Sequence, residues 1–85
     1  MKIDVRIKAV STRAKNVFEL CPNQKGHDEM IVACDLDYVD DYDDVIKYVE
    51  CELSEMCSIS LYNVGDFVIL NETDICEELY YNNEE

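Results

Sequence analysis

The stretch Lys2-Ile3-Asp4-Val5-Arg6-Ile7-Lys8 alternates charged and β-branched residues without a break. Successive side chains of a β-strand point to opposite faces of its sheet, so this alternation predicts a strand. Its three β-branched residues, Ile3, Val5 and Ile7, are expected on the buried face. The stretch therefore places a β-sheet in the fold.

Three other segments also have the composition of strands. Residues 29–36 contain the continuous apolar run Met30-Ile31-Val32-Ala33, which is typical of a central strand covered on both faces, or at least of a well-buried one. The sequence Ser58-Ile59-Ser60-Leu61-Tyr62 alternates again, and turn residues at 63–66 separate it from the apolar run 67–70. These last two segments are predicted to form a β-hairpin.

Two segments have the periodicity of amphipathic helices. After Asp40, which can cap the first helix as Asp41 can, apolar residues recur on one helix face. They are Val45, Ile46, Val49, Leu53 and Met56. A second helix is predicted over residues 72–81, with Ile75, Cys76, Leu79 and Tyr80 at helical spacing and a cap at Asn71 or Thr73.

The remaining segments complete a single α+β domain spanning residues 1–85. Residues 12–21 fit a short helix and a strand hairpinned to the first strand almost equally well, and residues 22–28 are predicted as a loop. A chain of 85 residues is enough for one domain and not for two. We expect a three- to five-stranded, mostly antiparallel sheet with two or three helices packed on one face.

The charge of the chain is large and unevenly distributed. Twenty acids and seven bases give a net charge of −13. Residues 1–26 carry six bases and two acids, a net of +4, whereas residues 27–85 carry Lys47 and eighteen acids, a net of −17. Self-repulsion of this size opposes compaction, so the acids are expected to face a basic partner. The alternative is that the basic segment neutralises acidic neighbours within the domain.

The same negative charge disfavours direct binding to nucleic acid or to an anionic membrane. The longest apolar stretch, from Met30 to Cys34, is too short to span a bilayer, and the first residues lack the apolar core of a secretory signal. Five cysteines without a C-x-x-C pair, Cys21, Cys34, Cys51, Cys57 and Cys76, are expected to be reduced thiols in a cytoplasmic protein.

No motif in the sequence predicts catalysis. The single histidine, His27, falls in the predicted loop, where a solvent-exposed side chain is expected. A cysteine nucleophile needs an adjacent base, but Cys34 ends an apolar run and is expected to be an inert core residue. Two isolated glycines cannot form a phosphate-binding loop. We therefore expect a binding protein rather than an enzyme, without a cofactor.

A metal site is the alternative for the acidic segment 35–44, which holds six carboxylates. Calcium binds such oxygens, but an EF-hand loop needs an oxygen ligand at position 5. Loops that start at Asp35 or Asp41 place Val39 or Val45 there. Weak cation binding is compatible with this segment, and a dedicated site is not expected. Scattered cysteines and one histidine also argue against zinc.

The acidic segment is therefore the candidate binding surface. Asp37, Asp40, Asp41 and Asp44 share one face if the helix begins as early as Asp37 or Asp40. Tyrosines are interleaved with these acids, and tyrosine is frequent among the residues that dominate binding energy. The predicted partner contacts are Asp37, Tyr38, Asp40, Asp41, Tyr42, Asp43, Asp44, Glu52, Glu55, Glu77 and Glu78. The alternative is that these acids form only a solvated surface.

In its size, its acidity and its acidic-aromatic helix, the chain resembles small acidic inhibitors encoded by phages and mobile elements. Some members of this class are DNA mimics that block restriction enzymes or CRISPR effectors. The resemblance implies a stoichiometric inhibitor of a basic, nucleic-acid-binding protein in the host cytoplasm. The sequence does not determine whether the chain is a monomer or a homodimer. The alternative is an antitoxin-like or regulatory subunit that caps a basic protein without mimicking DNA.

Overall fold

The alternating N-terminal stretch forms the central strand of a three-stranded sheet. In this computed structural model, which describes residues 1–20 and 28–83, β1 (Lys2–Ala9) lies between β2 (Glu29–Asp35) and β3 (Phe67–Ile69). Both neighbours pair antiparallel with β1, so that Val5 lies opposite Val32 and Ile7 opposite Ile69. The helices form a second layer against this sheet, so the domain has the α+β architecture predicted from the sequence.

Three helices supply the rest of the core: α1 (Thr12–Leu20), α2 (Tyr42–Cys57) and α3 (Glu72–Asn83). A short 3-10 turn, Leu36–Tyr38, follows β2. The fully buried residues of β1 alternate, as Val5, Ile7 and Ala9 do, because only one face of the sheet is covered. The charged residues of β1 lie on the opposite, exposed face.

The undecided segment after β1 is helical. The hydroxyl of Ser11 accepts a hydrogen bond from the Ala14 N–H at 3.0 Å, which satisfies one of the free donors of the first turn. Ala14 and Phe18, four residues apart, are both fully buried. A spacing of four residues places both side chains on one face of a helix. In a strand the two residues would also share a face, but Val17 would then lie on the opposite face.

α2 follows its predicted register closely. The side chain of Asp41 caps the helix by accepting the Asp44 N–H at 2.9 Å. Val45, Val49 and Leu53 are fully buried, so the predicted apolar face packs onto the sheet. The helix stops at Ser58, which adopts the left-handed conformation with a φ of 58°, a common way for a helix to end.

The strand predicted over residues 29–36 is confirmed as β2, but it is an edge strand and not a central one. Met30, Val32 and Cys34 are buried, as expected of a well-buried strand, whereas Ala33 is exposed. The predicted hairpin is also wrong, because residues 58–66 form irregular chain and a turn, and β3 pairs with β1 instead. Side chains hold this irregular segment: Arg13 donates to the Ser60 carbonyl at 3.0 Å, and Asp66 accepts the Tyr62 N–H at 3.0 Å.

α3 packs against α2. Ile75 and Leu79 are buried as predicted, whereas Cys76 and Tyr80 are exposed. The predicted loop over residues 22–28 lies outside the described residues except for Asp28, as does His27. Within residues 1–20 and 28–83, the helices are all too short or too polar to cross a bilayer.

Candidate functional site

The structure breaks up the four-acid helix face predicted for residues 37–44. Asp37 lies in the 3-10 turn, and α2 begins only at Tyr42, so Asp40 and Asp41 precede the helix. Three carboxylates of the wider segment accept main-chain hydrogen bonds instead of facing outward together. Asp35 accepts from the Asp37 N–H at 3.0 Å, Asp41 from the Asp44 N–H at 2.9 Å, and Asp44 from the Asp40 N–H at 3.0 Å.

Several predicted contact residues nevertheless lie on an exposed surface at this end of the molecule. Asp37, Asp40, Asp41 and Asp43 are exposed, and Tyr38 has 77% of its surface accessible. Asp44 is half-buried because its carboxylate turns back to the Asp40 N–H. We call the exposed part of segment 37–43 the acidic turn.

Tyr42 connects the acidic turn to α3. Its side chain is half-buried, and α2 packs against α3 at this point. Burial and the nearby carboxylate of Glu72 raise the pKa of Tyr42 to about 12, with a smaller contribution from Cys76. The phenol therefore stays neutral, and the acidic turn and the first turn of α3 are neighbours in space.

The two predicted contacts farther along α2 lie apart from the acidic turn. Glu52 is half-buried near the end of β2, where burial, Asp35 and Glu52 together raise the pKa of the Cys34 thiol to about 11. Glu55 is exposed and lies twelve residues after Asp43, which is about 18 Å along the helix. The structure therefore does not bring Glu52 and Glu55 together with the other predicted contacts.

Glu77 and Glu78 line a cleft of about 610 Å³ between α3 and the first half of β1. Asp4, Asp74 and Tyr81 also line this cleft, together with Met1, Lys2, Ile3 and Asn71. Asp4 and Tyr81 are not among the contacts predicted from the sequence. The i, i+4 spacing of Asp74 and Glu78 marks one helix face, but only the sheet topology brings Asp4 beside it.

Ion pairs within the chain involve mostly other acids. Arg6 pairs with Glu29 at 3.8 Å, Lys8 with Asp28 at 3.9 Å, and Arg13 with Asp66 at 2.7 Å. These three bases are therefore neutralised by acids of the same domain, which was the alternative interpretation of the charge distribution. The N-terminal amine lies 3.7 Å from Asp35 and 3.4 Å from Asp37. Asp37 is therefore a predicted partner contact that also forms an ion pair within the chain.

Cysteines and metal ligands complete the inventory of reactive groups. Cys34, Cys51 and Cys76 are free thiols, and Cys21 lies outside the described residues. Across residues 1–20 and 28–83, the His, Cys, Asp and Glu side chains make no group of three that could hold a metal ion. A raised pKa keeps the buried Cys34 protonated at neutral pH, which makes it a poor nucleophile.

The chain matches no protein-family profile, no curated protein and no solved structure.

Proposed function

We propose that this protein is a stoichiometric inhibitor that binds a basic, nucleic-acid-binding protein through its acidic turn and α3, in the manner of a phage anti-CRISPR or anti-restriction protein. The observation that carries the proposal is the meeting of two acidic elements at Tyr42, which lies beside Glu72 of α3. The exposed acids of the turn and of α3 then form one negative surface. Such a surface complements a basic patch and speeds the encounter with it.

The use of the internal bases supports an intermolecular role for this surface. Arg6, Lys8 and Arg13 pair with Glu29, Asp28 and Asp66, and all three acids lie outside the acidic turn and α3. Like charges on one helix destabilise it by a few tenths of a kcal/mol per pair. A basic partner would convert this repulsion into attraction.

The proposal is tested by removing charge from the acidic turn without disturbing its main-chain hydrogen bonds. Asp37 and Asp43 are exposed, and neither is among the carboxylates that accept the bonds of Asp37, Asp40 and Asp44. The double variant Asp37→Asn/Asp43→Asn should weaken binding to a partner isolated from the source cells by at least tenfold, about 1.4 kcal/mol. Titration calorimetry with the purified partner measures this change.

The matched control is Glu19→Gln/Glu55→Gln, which removes the same charge from exposed positions on α1 and far along α2. It should change the affinity less than threefold. Equal losses in both variants would mean that net charge alone, and no particular surface, drives binding. Unchanged affinity in the first variant would mean that the acidic turn is only a solvated surface.

The second candidate, an antitoxin-like or regulatory subunit, makes a different prediction about competition. A DNA mimic occupies the nucleic-acid site of its target, so duplex DNA or guide RNA should displace it. A regulatory subunit that binds elsewhere should stay bound in the presence of nucleic acid. The cleft beside β1 favours this second candidate, because its wall includes a strand edge and not only charged side chains.

A further inference from the structure

One edge of β1 is only partly covered by its neighbour. β3 pairs with residues Ile7 to Ala9 of β1 and stops there. The Leu70 N–H donates to the Arg6 carbonyl at 2.7 Å, so the main-chain groups of Arg6 face the side on which β3 lies. Main-chain groups alternate in direction along a strand. Those of Asp4 and Lys2 therefore face the same side, beyond the end of β3.

The side chain of Asn71 occupies part of this edge in place of a strand. Its carbonyl oxygen accepts the Arg6 N–H at 2.9 Å, and its amide donates to the Asp4 carbonyl at 2.8 Å. Beyond Asn71, the Asp4 N–H and both main-chain groups of Lys2 have no hydrogen-bond partner within residues 1–20 and 28–83. An open strand edge of this kind is a template for another strand.

The cleft that borders this edge is negatively charged. Its far wall is the face of α3 that carries Asp74, Glu77 and Glu78, with Tyr81 at one end. Asp4 adds a fourth carboxylate. The cations at the cleft are the Lys2 side chain and the N-terminal amine of Met1, and this amine already pairs with Asp35 and Asp37. The cleft is open to solvent and has a volume of about 610 Å³.

We propose that this cleft binds an extended segment of a partner protein, bearing lysine or arginine at alternate positions, as an added antiparallel strand on the edge of β1. The inference rests on the proposed function for the basic character of the partner, and it assigns a second contact, separate from the acidic turn. Strand addition obtains affinity from main-chain hydrogen bonds and specificity from alternate side chains.

The pairing geometry fixes which side chains of the guest face the acids. Residues that exchange hydrogen bonds across an antiparallel pair have their side chains on the same sheet face. Guest residues bonded to Asp4 and Lys2 therefore point to the exposed face of the sheet, and the residues between them point toward α3. The cationic positions of the guest are these intervening ones. A second copy of this chain is disfavoured as the guest, because each copy carries a charge of −13.

The test uses the peptide Lys-Thr-Lys-Thr-Lys, acetylated at its N-terminus and amidated at its C-terminus. Its threonines are placed to bond to the strand edge and its lysines to face α3. We expect saturable, salt-sensitive binding to the whole protein by titration calorimetry, with chemical-shift changes at Lys2–Asp4 and along α3. The matching glutamate-threonine peptide should not bind.

N-methylation of the peptide separates strand pairing from simple charge attraction. A methyl group on the nitrogen of the second threonine removes the donor that faces the Lys2 carbonyl and should weaken binding at least tenfold, whereas the Asp4 carbonyl is already occupied by Asn71. A methyl group on the nitrogen of the second lysine points away from β1 and should cost less than threefold. Equal affinities for the two methylated peptides would overturn strand addition, and the acidic-turn proposal would still stand on its own variants.

Variants of the protein test the same site from the other side. Asp74→Asn/Glu77→Gln should weaken peptide binding at least tenfold, whereas Glu19→Gln/Glu55→Gln, which removes the same charge outside the cleft, should change it less than threefold. Asp4→Pro removes the N–H that faces the cleft and should reduce binding further than Asp4→Asn does. Circular dichroism checks that each variant is folded. The inference is overturned if the peptide does not bind, or if light scattering shows that the edge pairs two copies of this chain.

Discussion

The carboxylate of Asp66 accepts hydrogen bonds from three residues. Arg13 donates through Nε at 3.0 Å and through Nη2 at 2.7 Å, the Ser11 hydroxyl donates at 2.8 Å, and the Tyr62 N–H donates at 3.0 Å. These bonds, those of Arg13 first among them, hold the pKa of Asp66 well below its usual range. Asp66 therefore joins the start of α1 to the irregular chain before β3.

Replacement of Asp66 by Asn is expected to destabilise the fold by about 1.5–3 kcal/mol, the usual cost of losing hydrogen bonds to a charged group. Since the folded protein holds this pKa low, the contribution of Asp66 is present above the unfolded carboxyl pKa of about 3.9. It is lost as the pH falls below that value. Urea unfolding at pH 7 should show the full difference between wild type and Asp66→Asn.

The difference should shrink when the same measurement is made near pH 3. Glu19→Gln, at an exposed position on α1, is the control for loss of one negative charge and should leave the pH profile close to that of the wild type. A constant difference between wild type and Asp66→Asn at all pH values would mean that the variant acts through packing and not through the charged carboxylate.

Each helix shows how far local sequence determined the fold. The apolar spacing that predicts α2 is the spacing that buries Val45, Val49 and Leu53, because this helix packs along its whole length. The face predicted for α3 is only half right: Ile75 and Leu79 are buried, but Tyr80 is exposed.

The strands were harder to predict because strand pairing depends on distant residues. The continuous apolar run in β2 indicated a central strand covered on both faces, or at least a well-buried one. The strand lies at the edge of the sheet, and alternate residues of it are buried. The central strand is β1. Its charged residues lie on the sheet face that is open to solvent, so its sequence lacks the continuous apolar run of a strand covered on both faces. The segment 58–62 alternates like a strand, but Arg13 and Asp66 supply the hydrogen bonds that a neighbouring strand would have made.

The candidate site was predictable to the same degree. The acids of segment 35–44 were evident from composition, but their main-chain hydrogen bonds were not, because these depend on α2 beginning at Tyr42. The cleft was not predictable at all. Asp4 and Asp74 meet there only because Asn71 binds the edge of β1 and directs α3 alongside it.

The cap of α2 gives a prediction about the acidic turn. Asp41→Ala should destabilise the protein by about 0.5–2 kcal/mol, because the Asp44 N–H loses its acceptor. Asp41→Asn should be nearly neutral, since Asn caps helices as well as Asp does. Thermal unfolding distinguishes the two variants. If Asn destabilises the protein as much as Ala does, the negative charge of Asp41, and not its hydrogen bond to the Asp44 N–H, stabilises α2.

The whole molecule carries a net charge of −13, and its acids should repel one another. Relief of a few pairs worth roughly 0.2–0.5 kcal/mol each amounts to about 1 kcal/mol, or a rise in Tm of about 4–8 °C for a domain of this size. We expect such a rise when sodium chloride increases from low to high concentration. A fall in Tm would mean that ion pairs outweigh repulsion.

The variant Glu77→Gln/Glu78→Gln is the control for this effect of salt. It removes two charges from α3, so its Tm in low salt should be higher than that of the wild type and should rise less with added salt. An undiminished salt response would place the repulsion elsewhere, in the acidic turn and the first turn of α2.

The position of β1 at the centre of the sheet affects how the chain can fold during synthesis. Ile7 pairs with Ile69, and the Arg6 N–H donates to the side chain of Asn71, so β1 is completed by residues that are synthesised much later than it is. At roughly 5–20 residues per second, a ribosome takes about 3–12 s to make the chain between them. During that interval the apolar face of β1 is only partly buried, so a holdase chaperone has time to bind it.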